Sequence, residues 1–150
     1  MADAREYIFL MHELAHLMRT LFDQRARARG MTRAQWVILK RLDHTPGLSQ
    51  NELASLIEVE PITVGRLIDR LEARGLVERR SDPRDRRIHR LHLAAKAKPI
   101  LREITQNIVE IDKIMSSGIS EKALEELAAH LKTMKANLTL DESSLKKSAG

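Results

Sequence analysis

The sequence predicts a mainly α-helical fold with one small β-hairpin, and three observations predict it. Segments at both ends of the chain repeat apolar residues at alternating spacings of three and four, the period of helices packed side by side. Between them, two capping boxes open helices after Thr32 and Ser49. Beyond those, Leu76 to Arg80 and Ile88 to Leu93 have the character of two strands around a polar, arginine-rich loop.

The first element is a helix striped by Tyr7, Leu10, Leu14, Leu17 and Leu21. Thr32 and Gln35 then fit the T-x-x-Q box, in which each side chain satisfies a free amide at the other's position. That helix runs to about His44 with Trp36, Leu39 and Leu42 inward, and Pro46-Gly47 ends it. Ser49 and Glu52 repeat the box and open a short helix through Leu56. Pro61 suits the first turn of the next helix, where its missing N–H costs nothing. Its inward face is Val64, Leu67, Ile68 and Leu71, and Gly75 supplies a left-handed C-cap.

After the hairpin come two further stripes, one of Leu101, Ile104, Ile108, Ile111 and Met115, the other of Leu124, Leu127, Leu131, Met134 and Leu138. Pro99 falls in the first turn of the former helix or kinks it. Stripes at both ends, outside a middle with its own core, build a two-fold dimer more readily than a monomer. An intramolecular bundle is the competing reading. The expected division is a single unit over 1–150: dimerisation helices at 1–31 and 96–140, a winged helix-turn-helix at 32–95, and a flexible polar tail at 141–150.

Composition narrows the function. The chain has no cysteine, which excludes a disulfide framework, thiol redox chemistry and cysteine zinc sites. No run of 18 apolar residues and no leader pattern are present, so the expectation is a cytoplasmic protein without a membrane partner. A net charge of +5 suggests a polyanionic partner. Only four aromatics occur (Tyr7, Phe9, Phe22 and Trp36), too few for a base-stacking platform, which argues against single strands and RNA. No glycine-rich phosphate loop, nucleophile elbow or paired-carboxylate motif is found, so no residue is nominated as catalytic and an enzyme is the weaker rival. His12 and His16 lie four apart on one helix but lack a third ligand; no metal or cofactor is expected.

The partner is narrowed by the helix after Pro61. With its apolar stripe buried, Thr63, Gly65, Arg66 and Arg70 fall on the outer face. A hydroxyl near a helix start can hold a phosphate, and Arg66, one turn on, can reach a guanine edge. Gly65 costs roughly 1 kcal/mol of helix propensity against alanine, and close approach to DNA is one reason to keep it. Between Arg79 and Arg90 lie six arginines, Asp82, Asp85 and His89. Arginine suits a narrow minor groove, and the aspartates would pin neighbouring guanidiniums so that the loop is shaped before binding. Double-stranded DNA is the expected partner.

These residues resemble the multiple-antibiotic-resistance regulator (MarR) family, in particular its SlyA-like branch, from roughly Leu14 to Leu101. The resemblance is carried by MTRAQWVIL, SQNELA, TVGRLIDRLEARGLVERR and DPRDRR together. The sequence departs from the family's Leu-Thr-x-x-Gly after the wing, reading Leu93, Ala94, Ala95, Lys96 and Ala97, so the start of the following helix is not set by that pattern. The resemblance implies a homodimeric transcription regulator, most often a repressor, whose two winged heads bind a pseudo-palindromic operator. It places Thr63 and Arg66 at the major groove, Arg86 at the wing tip in the minor groove, Asp85 and Arg87 as wing braces, and Ser49 and Gln50 against phosphate; Arg70 and Arg84 complete the expected DNA-binding set. It also implies a releasing effector, a small aromatic carboxylate or an acyl thioester. Its wall would be His16, Arg19, Phe22, Arg25 and Trp36, with Arg19 clamping the acid and Phe22 and Trp36 flanking a ring. In the alternative reading, Phe22 and Trp36 are core and the arginines surface. A winged-helix architectural or ligand-independent DNA-binding protein is the rival function.

Overall fold

The computed structural model describes the backbone of residues 5–148 and the side chains of residues 5–142. The chain divides after Asn107 into two compact units. The elements in order are α1 (Glu6–Arg27), α2 (Arg33–His44), β1 (Leu48–Ser49), α3 (Gln50–Ile57), α4 (Pro61–Ala73), β2 (Val77–Ser81), β3 (His89–Leu93), α5 (Lys98–Met115) and α6 (Glu121–Ser148). A 3-10 turn at Ala95–Ala97 leads into α5.

Local chemistry explains the boundaries of the first unit. Both capping boxes form: Thr32 accepts from Gln35 N while Gln35 accepts from Thr32 N, and Ser49 and Glu52 do the same. Each satisfies two amides that a helix start leaves without partners. Pro61 begins α4. At its far end Gly75 takes φ 71°, and Leu76 N donates to Leu71 O while Gly75 N donates to Glu72 O. That double closure requires a left-handed residue, which glycine supplies without strain.

The sheet has strand order β1-β3-β2, all antiparallel. The register pairs Val77 with Leu93 and Ser81 with His89, and joins Ser49 to Arg90 across β1 and β3. The two-residue β1 was not expected, because so short a strand leaves no alternation to read. The apolar sides of α2, α3, α4, β2 and β3 close on one core containing Trp36, Leu39, Leu53, Val64, Ile68, Leu71, Val77 and Leu91. Leu101 and Ile104 join it. These two were expected in a helix seam; the core of the head claims them instead, because the chain turns directly from β3 into α5.

Apolar residues near the N-terminus stay outside this core. Tyr7, Leu10, Leu14 and Leu17 of α1 are all exposed. In the second unit Leu127, Leu131, Met134 and Leu138 of α6 are exposed as well. Within that unit the helix continues past the expected boundary at 140 to Ser148, so the anticipated tail is helical up to that point. Leu145, Lys146 and Lys147 favour such a continuation over the small polar residues beside them. Residues 149–150 of that expected tail lie outside the described residues.

Ile68 is fully buried where α4 meets the core. Ile68→Ala is expected to cost about 2–5 kcal/mol of unfolding free energy in a urea titration. Truncating the exposed Ile62 of the same helix to alanine should cost under about 0.5 kcal/mol.

Candidate nucleic-acid interface

Helix α4 divides cleanly between two environments. Val64, Leu67, Ile68 and Leu71 are buried, whereas Thr63, Arg66 and Arg70 are exposed. Arg66 and Arg70 stand four residues apart, on one face. Neither side chain is engaged in a hydrogen bond or ion pair among the described residues.

The crossing of α3 and α4 explains Gly65 differently from the expectation of close approach to DNA. A Cβ at Gly65 would lie 2.8 Å from Gln50 Nε2. That same nitrogen donates to Pro61 O at 3.1 Å, so the Gln50 amide bridges onto the first turn of α4 across the glycine. Ser49 Oγ meanwhile accepts from Glu52 N at 3.2 Å. Both residues nominated for phosphate contact therefore help to build the helix-turn-helix. The Ser49 hydroxyl proton and the second Gln50 amide hydrogen remain as donors.

The wing is shaped by carboxylates. Asp82 accepts from Arg84 N at 2.7 Å and from Arg90 Nε at 2.8 Å, and its own amide donates to Ile88 O. Asp85 accepts from Arg87 N, Nε and Nη2 at 2.9–3.0 Å. The Arg84 amide and the Arg90 guanidinium hold the Asp82 carboxyl below the usual carboxylate range. The Arg87 guanidinium does the same for Asp85, and the Ser49 amide leads in lowering Glu52. Lowered values mean that these braces are intact above the ordinary carboxylate range and are released as pH falls through the lowered values.

Two braces reach from the wing strands to the body. Arg79 on β2 donates to Asp69 Oδ1 at 2.7 Å, Glu72 Oε1 at 3.1 Å and Gly65 O at 3.4 Å, all on α4. Its own amide donates to Glu72 Oε2. Arg90 on β3 joins Asp82 to Glu52 Oε2 at 3.0 Å on α3, and also reaches Gly47 O. The Asp85–Arg87 pair is by contrast local to the tip, with the Arg87 side chain 90% exposed.

Neither Arg79 nor Arg90 was singled out from sequence. Their positions on the strands beside carboxylates three-dimensionally adjacent but distant in the chain carried no local signal. Arg80 pairs with Glu78. The side chains of Arg84 and Arg86, like those of Arg66 and Arg70, are exposed and without a partner among the described residues.

The residues nominated as a ligand wall are dispersed in environment. His16 and Arg19 are exposed on α1, and Phe22 is half-buried against the core. Arg25 Nη1 donates to Asn107 Oδ1 at 2.6 Å. Trp36 is 3% exposed and belongs to the core, so its ring is not offered to a ligand as expected; the apolar face of α2 draws it inward. Two surface cavities are lined by other residues. One of about 510 Å³ has Asp43, Lys98, Leu101, Arg102, Thr105 and Gln106 around it. The other, of about 360 Å³, includes Arg80, His92 and Lys98. Among the described residues no group of three His, Cys, Asp or Glu is placed to hold a metal ion. Among those residues no helix is long and apolar enough to cross a membrane.

Residues 31–89 match the MarR family. The span takes in α2, β1, α3, α4 and β2 and ends on the first residue of β3. Among solved structures, the transcriptional regulator SlyA is 27% identical with a TM-score of 0.79, the match covering 90% of this chain and 95% of that one. MepR from S. aureus, in complex with DNA, is 25% identical with a TM-score of 0.77, covering 91% and 99%. Apo MarR from E. coli is 21% identical with a TM-score of 0.73, covering 83% and 93%, a likeness of fold.

The contact between Gln50 and Gly65 has a measurable signature. In Gly65→Ala, the gain in helix propensity, about 1 kcal/mol, opposes loss of the Gln50–Pro61 hydrogen bond, about 0.5–1.5 kcal/mol. The single variant should therefore be near neutral in stability. In a Gln50→Ala background the same change should stabilise by about 1 kcal/mol, read as non-additivity in a double-mutant cycle.

Proposed function

We propose that the chain, whose residues 31–89 match the MarR family, is a member of that family and a homodimeric, sequence-specific regulator that represses transcription. It is not an enzyme, since the family and its structural neighbours are transcriptional regulators. Its two winged heads grip double-stranded DNA at a pseudo-palindromic operator with half-sites about 10 bp apart, centre to centre. It works in the cytoplasm.

One observation carries the DNA reading. Within the helix-turn-helix and wing, Arg79, Arg80, Arg87 and Arg90 are paired to carboxylates. Arg66, Arg70, Arg84 and Arg86 carry guanidiniums unpaired among the described residues, on the outer face of α4 and on the wing. A frame that neutralises its structural arginines and leaves others free suits a polyanion. Thr63, Arg66 and Arg70 then serve the major groove, Arg84 and Arg86 the minor groove, and Ser49 and Gln50 the phosphates at the start of α3. Asp85 and Arg87 keep the tip in shape.

Dimerisation is supported by the apolar residues left open on α1 and, separately, on α6. Exposure of this extent on a monomer is a liability that association removes. Residues 1–31 and 96–140 supply the dimerisation helices and 32–95 the head. The releasing effector is a small aromatic carboxylate or its acyl thioester. Its support is the guanidinium of Arg19, unpaired among the described residues, together with the cavity bearing Lys98 and Arg102. Trp36 and Arg25, committed elsewhere, are not assigned to it.

The test of DNA recognition is enrichment of a bound site from random duplexes, followed by titration at two salt concentrations. Arg66→Ala should weaken the enriched site by about 1–3 kcal/mol and relax the preference at one position. Arg86→Ala should lower affinity and flatten the salt dependence. Weak binding to every duplex alike would favour the architectural reading. For the effector, Arg19→Ala should leave DNA affinity intact and blunt release by the active member of a panel of aromatic acids. Unchanged release in Arg19→Ala with loss in Arg102→Ala would move the site to the cavity.

A further inference from the structure

The Arg90 guanidinium stands where three parts of the head meet. Nε faces Asp82 on the wing at 2.8 Å, and Nη1 faces Glu52 Oε2 on α3 at 3.0 Å and Gly47 O ahead of β1 at 3.4 Å. The sheet reinforces the junction, because Arg90 is the β3 residue paired with Ser49, the N-cap of α3. Glu52 Oε2 is shared: it accepts from Ser49 N at 2.8 Å and from Arg90. Asp82 is shared too, holding Arg90 through one oxygen and the Arg84 amide through the other. Its side chain is only 13% exposed. A continuous relay thus runs from the first residues of α3, through Glu52, Arg90 and Asp82, to the backbone of Arg84.

Resting on the DNA reading above, we infer that Arg90 is a positioning residue that sets the reach of the wing, and so governs preference for the bases flanking the major-groove core. The side chains of Arg84 and Arg86, unpaired among the described residues, hang from the loop that Asp82 holds. Fixing that loop before binding spares the ordering cost that a mobile arginine loop meets on entering a groove. A narrow minor groove rewards guanidiniums delivered at one depth and register, so A·T-rich flanks are the sequence class favoured. Arginine is required because its rigid fork presents Nε and Nη1 to carboxylates on two different elements. A lysine ammonium keeps the charge but cannot hold both in fixed directions. The relay also joins the wing to Ser49 and Gln50, so the phosphate grip at α3 and the wing tip have one fixed spacing.

The experiment uses the full chain and the duplex enriched by it, with the core constant and the flanks either A·T-rich or G·C-rich. The wild type should prefer A·T flanks by about tenfold. Arg90→Lys should bring that ratio close to one while leaving core-base discrimination and the salt slope unchanged, since net charge is conserved. Asp82→Asn, which weakens the relay at its other end, should likewise bring the flank ratio close to one, although the lost carboxylate leaves the wing more basic. In the free protein, backbone amide relaxation of Arg84 and Arg87 should show a wing that is ordered in the wild type and mobile in Arg90→Lys. A flank ratio that survives Arg90→Lys, or a wing equally ordered in both proteins, overturns the inference. So does an equal fall in core and flank discrimination, which would mark general destabilisation. A wild type that enriches no site would overturn the DNA reading itself, and this inference with it.

Discussion

The head depends on carboxylates fixed beside an excess of guanidiniums. A hairpin with six arginines between positions 79 and 90 repels itself, and repulsion alone would splay the loop. Asp69 and Glu72 on α4, Glu52 on α3, and Asp82 and Asp85 on the wing answer this charge at separations of 2.7–3.1 Å. Partly exposed pairs of this kind contribute only about 0–1 kcal/mol each. Their importance is geometric: the buried apolar side chains supply the stability, while the ion pairs choose one wing conformation among many that the core would tolerate.

The same economy governs the helix-turn-helix. Two successive capping boxes satisfy amides that have no partner within the helix. Glu58 closes α3 with φ 55°, a left-handed conformation uncommon for a residue with a side chain, and Val59 N returns to Ala54 O. Gly65 then lets the Gln50 amide cross onto α4. Side chains that a surface reading assigns to a ligand are thus already employed in holding two helices at their crossing. Leu53 and Ala54 of the same helix are buried in the core.

Most of the head was legible because its signals are local. Thr32 with Gln35, Ser49 with Glu52, Pro61 and Gly75 each encode a boundary within a few residues, and the inward face of α4 follows from its period. What escaped were interactions between residues far apart in the chain. Arg90 and Glu52 are 38 positions apart, and nothing in the neighbourhood of either announces the other. The two residues of β1 were too few to alternate. Trp36 was ambiguous for a different reason: an aromatic at helical spacing fits a core and a ligand wall equally well, and only burial distinguishes them. Leu101 and Ile104 kept the period of a helix seam while serving the core of the head, since periodicity identifies a face but not what covers it.

The placement of β2 at the rim of the sheet has a consequence for solubility. Such a rim offers unpaired amides to any passing strand and is a common start for amyloid-like stacking. Here the outward amide of Arg79 is already taken by the Glu72 carboxylate, and Glu78 and Arg80 flank it with opposite charges. The opposite rim is β1, only two residues long. A chain with so much apolar side-chain surface open on its helices is thereby kept from sticking through its strands, and self-association is channelled away from the aggregation-prone route.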